Sequence, residues 1–345
     1  VIRMLGPLAF AALYAMRLEP PVENGVLVRI EENDQAIYSL GIGLTELKEW
    51  WVGIISNEQL DSVLEYSRLA PTEELAPLEE IQAGLAETRE LEAEEDVSYE
   101  TLTREELEQY VTGGMDAQAR EAMRASDSLL TLLGVLEPDM DLEELRTDLY
   151  TEQVSGFYST QEQAFYVLER ENQSALDQMI VAHEYVHALQ DQHFGLEELR
   201  DETLDADQLR AVDALVEGDA TLTMLLYASE HIGIFDLLQA QSSAGGFESE
   251  ALDASPTFLR EVEMLPYQEG LQFVIALHES WGWSAVDEAF EDPPQSTEQI
   301  LHPERYRQGD EPHKVSLPDL AEQLGAGWQE VESDVLGELF LQNAL

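Results

Sequence analysis

The stretch Ser174-Ala-Leu-Asp-Gln-Met-Ile-Val-Ala-His183-Glu184-Tyr-Val-His187-Ala-Leu-Gln-Asp-Gln192 decides how the rest of the chain is read. Leu176, Met179, Ile180, Val186 and Leu189 recur with helical period, which predicts a helix from Ser174 to about Gln192 with a core-facing stripe. A spacing of four residues places the imidazoles of His183 and His187 on one helix face, one turn apart. Two ligands of a tetrahedral zinc need that geometry. Glu184 adjoins the first of them, where it can take a proton from water activated at the metal.

His-Glu-x-x-His is a short pattern that also arises by chance, as two ordinary helix histidines with one of them hydrogen-bonded. A catalytic zinc needs a third protein ligand and an open fourth position. Working outward, Ala211-Val-Asp-Ala-Leu-Val-Glu217-Gly-Asp-Ala220 lies in a second helical pattern from about 206 to 230. Glu217 follows His187 by 30 residues, enough for a loop and an antiparallel return. Ala214, Gly218 and Ala220 are small. A glycine inside a helix costs about 1 kcal/mol, so Gly218 points to close helix packing. Glu217 is therefore read as the third ligand; the bland alternative is a solvated glutamate. Asp213, Asp219 and Asp191 are candidates to accept the free ring N–H of a ligand histidine.

The chain has 345 residues, 44% of them hydrophobic, enough for a substantial core. Its formal charge is −55, from 72 acidic and 17 basic residues. Nucleic acid and anionic membrane surfaces are thus poor partners. With no cysteine, disulfides and thiolate metal sites are excluded. Lys48 and Lys314 are the two lysines. An acidic, lysine-poor surface is similar to that of proteins from salt-rich habitats, where molar salt shortens the Debye length to about 3 Å and screens the self-repulsion.

Composition sets off an apolar segment at 1–20 and an acidic N-terminal region at 21–95, and the motif-bearing remainder, 96–345, is the expected catalytic domain. The apolar run Met4 to Met16 is too short to span a bilayer. It reads either as a signal or membrane-anchor remnant or as a buried helix. Leu27–Ile30 and Ala36–Ile42 are expected strands, Leu44–Ile55 a helix, and residues 57–95 surface helices or a solvated excursion. Further on, Val97–Leu102 is an expected strand, and Thr103-Arg-Glu-Glu106 is a capping box. A helix is expected over 116–133. Gly156-Phe-Tyr158 and Ala164–Leu168 form a hairpin pattern. Glu269–Glu279 is amphipathic, Val315–Leu317 is a candidate strand, and a strand–helix unit is expected from Gly327-Trp328 to Leu345.

These segments together resemble the gluzincin group of zincin metallopeptidases, which have thermolysin-like architecture. The fuller match is to an uncharacterised prokaryotic branch of secreted or membrane-associated proteins. Glu152–Tyr158, His183–Gln192, Glu217–Ala220, Pro266–Gly270 and Pro294–Tyr306 carry that resemblance, which covers about 97–345. It implies His183, His187 and Glu217 as ligands of one Zn2+ per chain and Glu184 as general base. It also implies that the strand before the helix, here Ala164–Glu169, presents its edge to an extended substrate. Thermolysin-like enzymes stabilise the oxyanion with a distant His and a Tyr. His302 and Tyr306 are the first candidates for that role, and Tyr267 the third.

The expected fold is a mostly helical α+β zincin-like core, with a small sheet packed on the His183–His187 helix. The expected activity is hydrolysis of peptides or unfolded protein by a zinc metallopeptidase, more plausibly an endopeptidase. An extracellular or cell-surface location is expected, with the N-terminal segment as a membrane tether. Two alternatives stand beside this. One is a non-catalytic zincin or a zinc hydrolase of another substrate. The other is a secreted or surface binding or structural protein carrying the motif by accident.

Overall fold

The computed structural model describes residues 26–32, 35–44 and 50–54 and, apart from isolated positions, 76–113, 117–147, 154–169, 175–232 and 255–344. The apolar segment at 1–20 lies outside the described residues.

Near the N-terminus, β1 (Val26–Glu32), β2 (Gln35–Leu44) and β3 (Trp50–Ile54) form an antiparallel sheet in the order β1-β2-β3. A bulge interrupts the β1–β2 register between Ile30 and Glu31. The two expected strands are present. The helix expected over Leu44–Ile55 is not: Trp50–Ile54 pairs with Leu40–Leu44 instead. Trp-Trp-Val is rich in aromatic and β-branched side chains, which favour a pleated strand with a partner available.

The second sheet holds β4 (Ser98–Leu102), β5 (Gly156–Ser159) and β6 (Ala164–Leu168). Its order is β4-β6-β5, with β6 parallel to β4 and antiparallel to β5. The hairpin reading holds. The edge-strand reading does not, because β6 is hydrogen-bonded on both sides. The outer strand next to the site is β5.

Helix α1 (Leu78–Arg89) precedes this sheet, and α2 (Arg104–Gly113) and α3 (Ala117–Leu132) follow β4. The capping box at the start of α2 is formed: Thr103 N–H donates to Glu106 Oε2 at 2.9 Å, and Glu106 N–H to Thr103 Oγ1 at 3.3 Å. Helix α4 (Ala175–Phe194) carries the two histidines and lies across β5 and β6. Ile180, Val181 and Tyr185 pack there with Tyr158, Phe165 and Val167. The opposite side of α4 meets α5 (Ala206–His231), so Ala182, Val186, Ala188 and Leu189 are fully buried. A helix covered on both sides explains how its polar residues come to lie in the interior.

Helix α5 opens with a capping box between Asp205 and Gln208. It packs along α6 (Thr257–Trp281). At their contact a methyl group on Gly218 would overlap the Gly270 carbonyl, and one on Gly270 would overlap that of Ala214. Gly218 thus marks a close helix approach, as read from sequence, but to α6 rather than to the histidine helix. Helix α6 begins twelve residues before the amphipathic segment recognised in the sequence and runs through Pro266. Buried Phe258, Leu259, Met264 and Leu265 anchor its first turns, which outweighs the backbone bond lost at proline.

The chain closes with α7 (Trp283–Glu291), α8 (Thr297–Leu301), α9 (Pro303–Gln308), a further turn of helix at Leu320–Leu324, and α10 (Glu338–Ala344). The final helix is as expected. Val315, Leu317, Gly327 and Trp328 are not in strands, and Val315, Leu317 and Trp328 are exposed. They have no described strand to pair with, so apolar character alone does not extend them.

A composition boundary at residue 95 does not coincide with a packing boundary. Ile81, Leu85 and Leu91 share one core with Tyr185, Val186 and Leu189. Residues 78–91 are therefore part of the histidine-bearing core and not a solvated excursion. Among the described residues no helix is long and apolar enough to cross a membrane.

Candidate metal centre

His183 and His187 stand one turn apart on α4, with ring centroids 4.7 Å apart and ring planes perpendicular. Their Nε2 atoms are 3.1 Å apart. From α5, Glu217 Oε2 reaches to 3.2 Å from His183 Nε2 and 3.4 Å from His187 Nε2. The three residues are 1%, 7% and 1% exposed, so little water screens them. Burial lowers the pKa of His183 to about 4, against the opposing hydrogen bond to Glu217. The ring is therefore neutral at ordinary pH and has a nitrogen lone pair to offer.

Three electron-rich atoms form a nearly equilateral triangle. One proton can bridge only one edge of it, whereas a cation at its apex satisfies all three. Zinc–ligand bonds of about 2.0–2.1 Å at tetrahedral angles place neighbouring ligand atoms about 3.3 Å apart. The observed edges of 3.1, 3.2 and 3.4 Å match. Two imidazoles and one carboxylate also have the donor chemistry of a catalytic zinc site. Among the described residues this is the one group of three with such convergence.

Glu184 is 2% exposed. Its carboxylate accepts the backbone N–H of Tyr158 on β5. Oε1 has no hydrogen-bond partner among the described residues. Burial, with a smaller contribution from the Glu217 charge, raises its pKa well above the usual carboxylate range. Gly156 permits this arrangement. A methyl group there would lie 2.8 Å from Ile180 Cγ2 and 3.2 Å from Glu184 Cγ, so only glycine lets β5 approach α4 closely enough. Glu184, His187 and Glu217 line a narrow cleft together with Tyr158, Thr160, Leu196 and Arg200.

Of the aspartates considered as partners of the ligand rings, none touches one. Asp191 accepts the Tyr158 hydroxyl at 2.9 Å and the Leu196 N–H at 2.9 Å. Asp213 pairs with Arg200 Nε at 2.9 Å. Asp219 lies one step removed. The group at His187 Nδ1 is Gln190 Oε1, at 2.8 Å. Gln190 and Tyr158 escaped the sequence reading, although both fall inside segments singled out there.

The structure brings Tyr267 against the site, its ring centroid 6.4 Å from that of His183. His302 and Tyr306 lie elsewhere, and neither lines the cleft. His302 Nε2 is 3.0 Å from Glu338 Oε1 on α10, and the Tyr306 hydroxyl donates to the Asp292 carbonyl at 2.8 Å. Their segment is tied to the start of α5, where Thr297 Oγ1 donates to Asp207 Oδ1 at 2.6 Å. Asp207 precedes Glu217 by ten residues, about 15 Å along a helix. In this structure His302 is thus held against α10, and Tyr306 against the end of α7.

No family model matches the chain, and no curated protein does. Among solved structures, the chain is similar to a "putative hydrolase with a novel fold" from Chloroflexus aurantiacus at 19% identity, covering 74% of this chain and 97% of that one with a TM-score of 0.43. His183, His187 and Glu217 form a two-histidine, one-glutamate metal site able to chelate one zinc per chain, in the arrangement of a gluzincin-type metallopeptidase.

Proposed function

We propose that this protein is a zinc-dependent metallopeptidase that hydrolyses peptide bonds. One observation carries the reading: three buried ligand atoms converge at tetrahedral spacing, and Glu184 lines the same cleft as two of the ligands, His187 and Glu217. Zinc held by His183, His187 and Glu217 would act as a Lewis acid and bring water to an ionisation range accessible near neutral pH. Glu184 then takes the proton from the attacking water and delivers it to the leaving amine. Its raised pKa suits a group that must both accept and return a proton. The backbone N–H of Tyr158 holds the carboxylate in place between these steps. Tyr267 is the one oxyanion candidate that lies beside a ligand ring.

The sheet order changes where an extended substrate would lie. The outer strand on this side of the sheet is β5, not β6, and Thr160 just beyond its end lines the cleft. A peptide main chain is proposed to enter there by strand addition. The test is incubation of the zinc-loaded chain with a mixed peptide library, at low and molar salt. Cleavage that stops on chelation and returns with zinc supports the proposal. Absence of cleavage at full zinc content contradicts it and favours the non-catalytic alternative.

A further inference from the structure

Behind His187 lies a line of buried polar groups that belongs neither to the ligand set nor to the general base. His187 Nδ1 is 2.8 Å from Gln190 Oε1. Gln190 Nε2 donates to the Val216 carbonyl at 2.9 Å and to Asp219 Oδ2 at 2.8 Å. Asp219 Oδ1 accepts from Arg89 Nε at 2.6 Å, and Arg89 Nη2 donates to Asp287 Oδ1 at 2.7 Å. The Arg89 guanidinium also stacks 4.5 Å over the Trp283 ring. Gln190, Asp219 and Arg89 are each fully buried.

This line has only one consistent direction. The Gln190 atom facing Val216 meets a backbone carbonyl, which can only accept. That atom must be the amide nitrogen, whatever the protonation of Asp219. The amide oxygen is then the atom facing His187, and an oxygen can only accept. His187 must therefore carry its proton on Nδ1, which leaves the Nε2 lone pair directed at Glu217 and His183. We infer that Gln190 is a positioning residue: held by Val216 and by the Arg89–Asp219 pair, it sets the tautomer and ring orientation of His187 before any metal arrives. The inference rests on the metal-site reading above but not on the identity of the substrate. It gives α1 a role, since Arg89 fastens the far end of the line from outside the compositionally defined catalytic region. A ring N–H given to an oxygen acceptor is the usual means of fixing a metal-binding histidine, and its loss commonly costs 10–100-fold in metal affinity.

The test uses the full chain labelled with 15N-histidine and stripped of metal by chelation. Two-bond 1H–15N correlation reads the tautomer, and the His187 signals are assigned by their loss in His187→Ala. The expected result is the Nδ1–H form in the wild type. Gln190→Met, similar in size but without an amide, is expected to lose that preference and to weaken zinc binding about 10–100-fold in chelator competition. An Nε2–H ring in the wild type would overturn the inference, even if Gln190→Met fails to fold. So would unchanged zinc affinity in a folded Gln190→Met. Peptide cleavage enters none of these readouts, so failure of the peptidase proposal would leave them standing.

Discussion

Gly218 and Gly270 bring the backbones of α5 and α6 into contact, with no room for a methyl group on either. Glu217, the ligand next to Gly218, owes its position to this contact. The neighbouring groups are backbone, which cannot swing aside as a side chain can. Gly218→Ala is therefore expected to lower stability by about 1–3 kcal/mol, the range for overpacking a filled core. It should also weaken zinc binding, because α5 must shift and carry Glu217 with it. Denaturant unfolding and zinc competition measure the two effects. A stability loss with unchanged zinc affinity would separate the helix contact from the metal site.

Gly156 sets the distance between β5 and α4. In Gly156→Ala the new methyl group meets Ile180 and Glu184, which pushes apart the Tyr158 N–H and the carboxylate it holds. None of the three ligands is touched. Zinc content should stay near one per chain while kcat for peptide cleavage falls, with KM changed less. Equal loss of zinc and activity would instead mean that the strand supports the whole centre.

Much of the site is legible in the sequence because helical periodicity converts spacing into direction. His183 and His187 share a face by number alone, and Glu217 follows from the small residues around it. Gln190 is less visible. Its role depends on Val216, Asp219 and Arg89, and Arg89 lies 101 positions away along the chain. The acidic composition around Arg89 gives no sign that it is fully buried. The location of His302 and Tyr306 is hidden for a related reason: a dense run of polar residues shows that something is held together, but not where. Strand order is likewise not written in β-propensity. Ala164–Leu168 and Gly156–Ser159 both read as strands, and only the pairing of β4 with β6 decides which one is the edge.

Acid should destabilise the metal-free protein through His183. Its folded pKa, about 4, lies below the ordinary value of 6.5. As pH falls from 6.5 the unfolded chain takes up the proton first, so stability is lost until about pH 4 and levels off below. The full difference is on the order of 3 kcal/mol. Chelator-treated wild type and His183→Gln, unfolded at a series of pH values, isolate this contribution. The difference between them should shrink from pH 6.5 to 4 and stay constant above 6.5. A difference independent of pH would show that His183 is not held neutral.

A net charge of −55 predicts a strong salt dependence. The unfolding midpoint should rise steeply between dilute buffer and molar KCl, as screening relieves the self-repulsion and excluded salt favours the compact state. A midpoint independent of salt would contradict the inference of a salt-adapted surface.

Glu184→Gln separates proton transfer from metal binding. Glutamine keeps the size of the side chain and an acceptor for the Tyr158 N–H, but it cannot take a proton from water. The decisive measurement is kcat/KM on a mixed peptide library for wild type and Glu184→Gln, with zinc determined on the same samples. Zinc is expected to be equal in the two, near one per chain, and kcat/KM to fall by about 10² or more, the scale for losing a positioned general base. Equal activity in the two at equal zinc would contradict that role for Glu184.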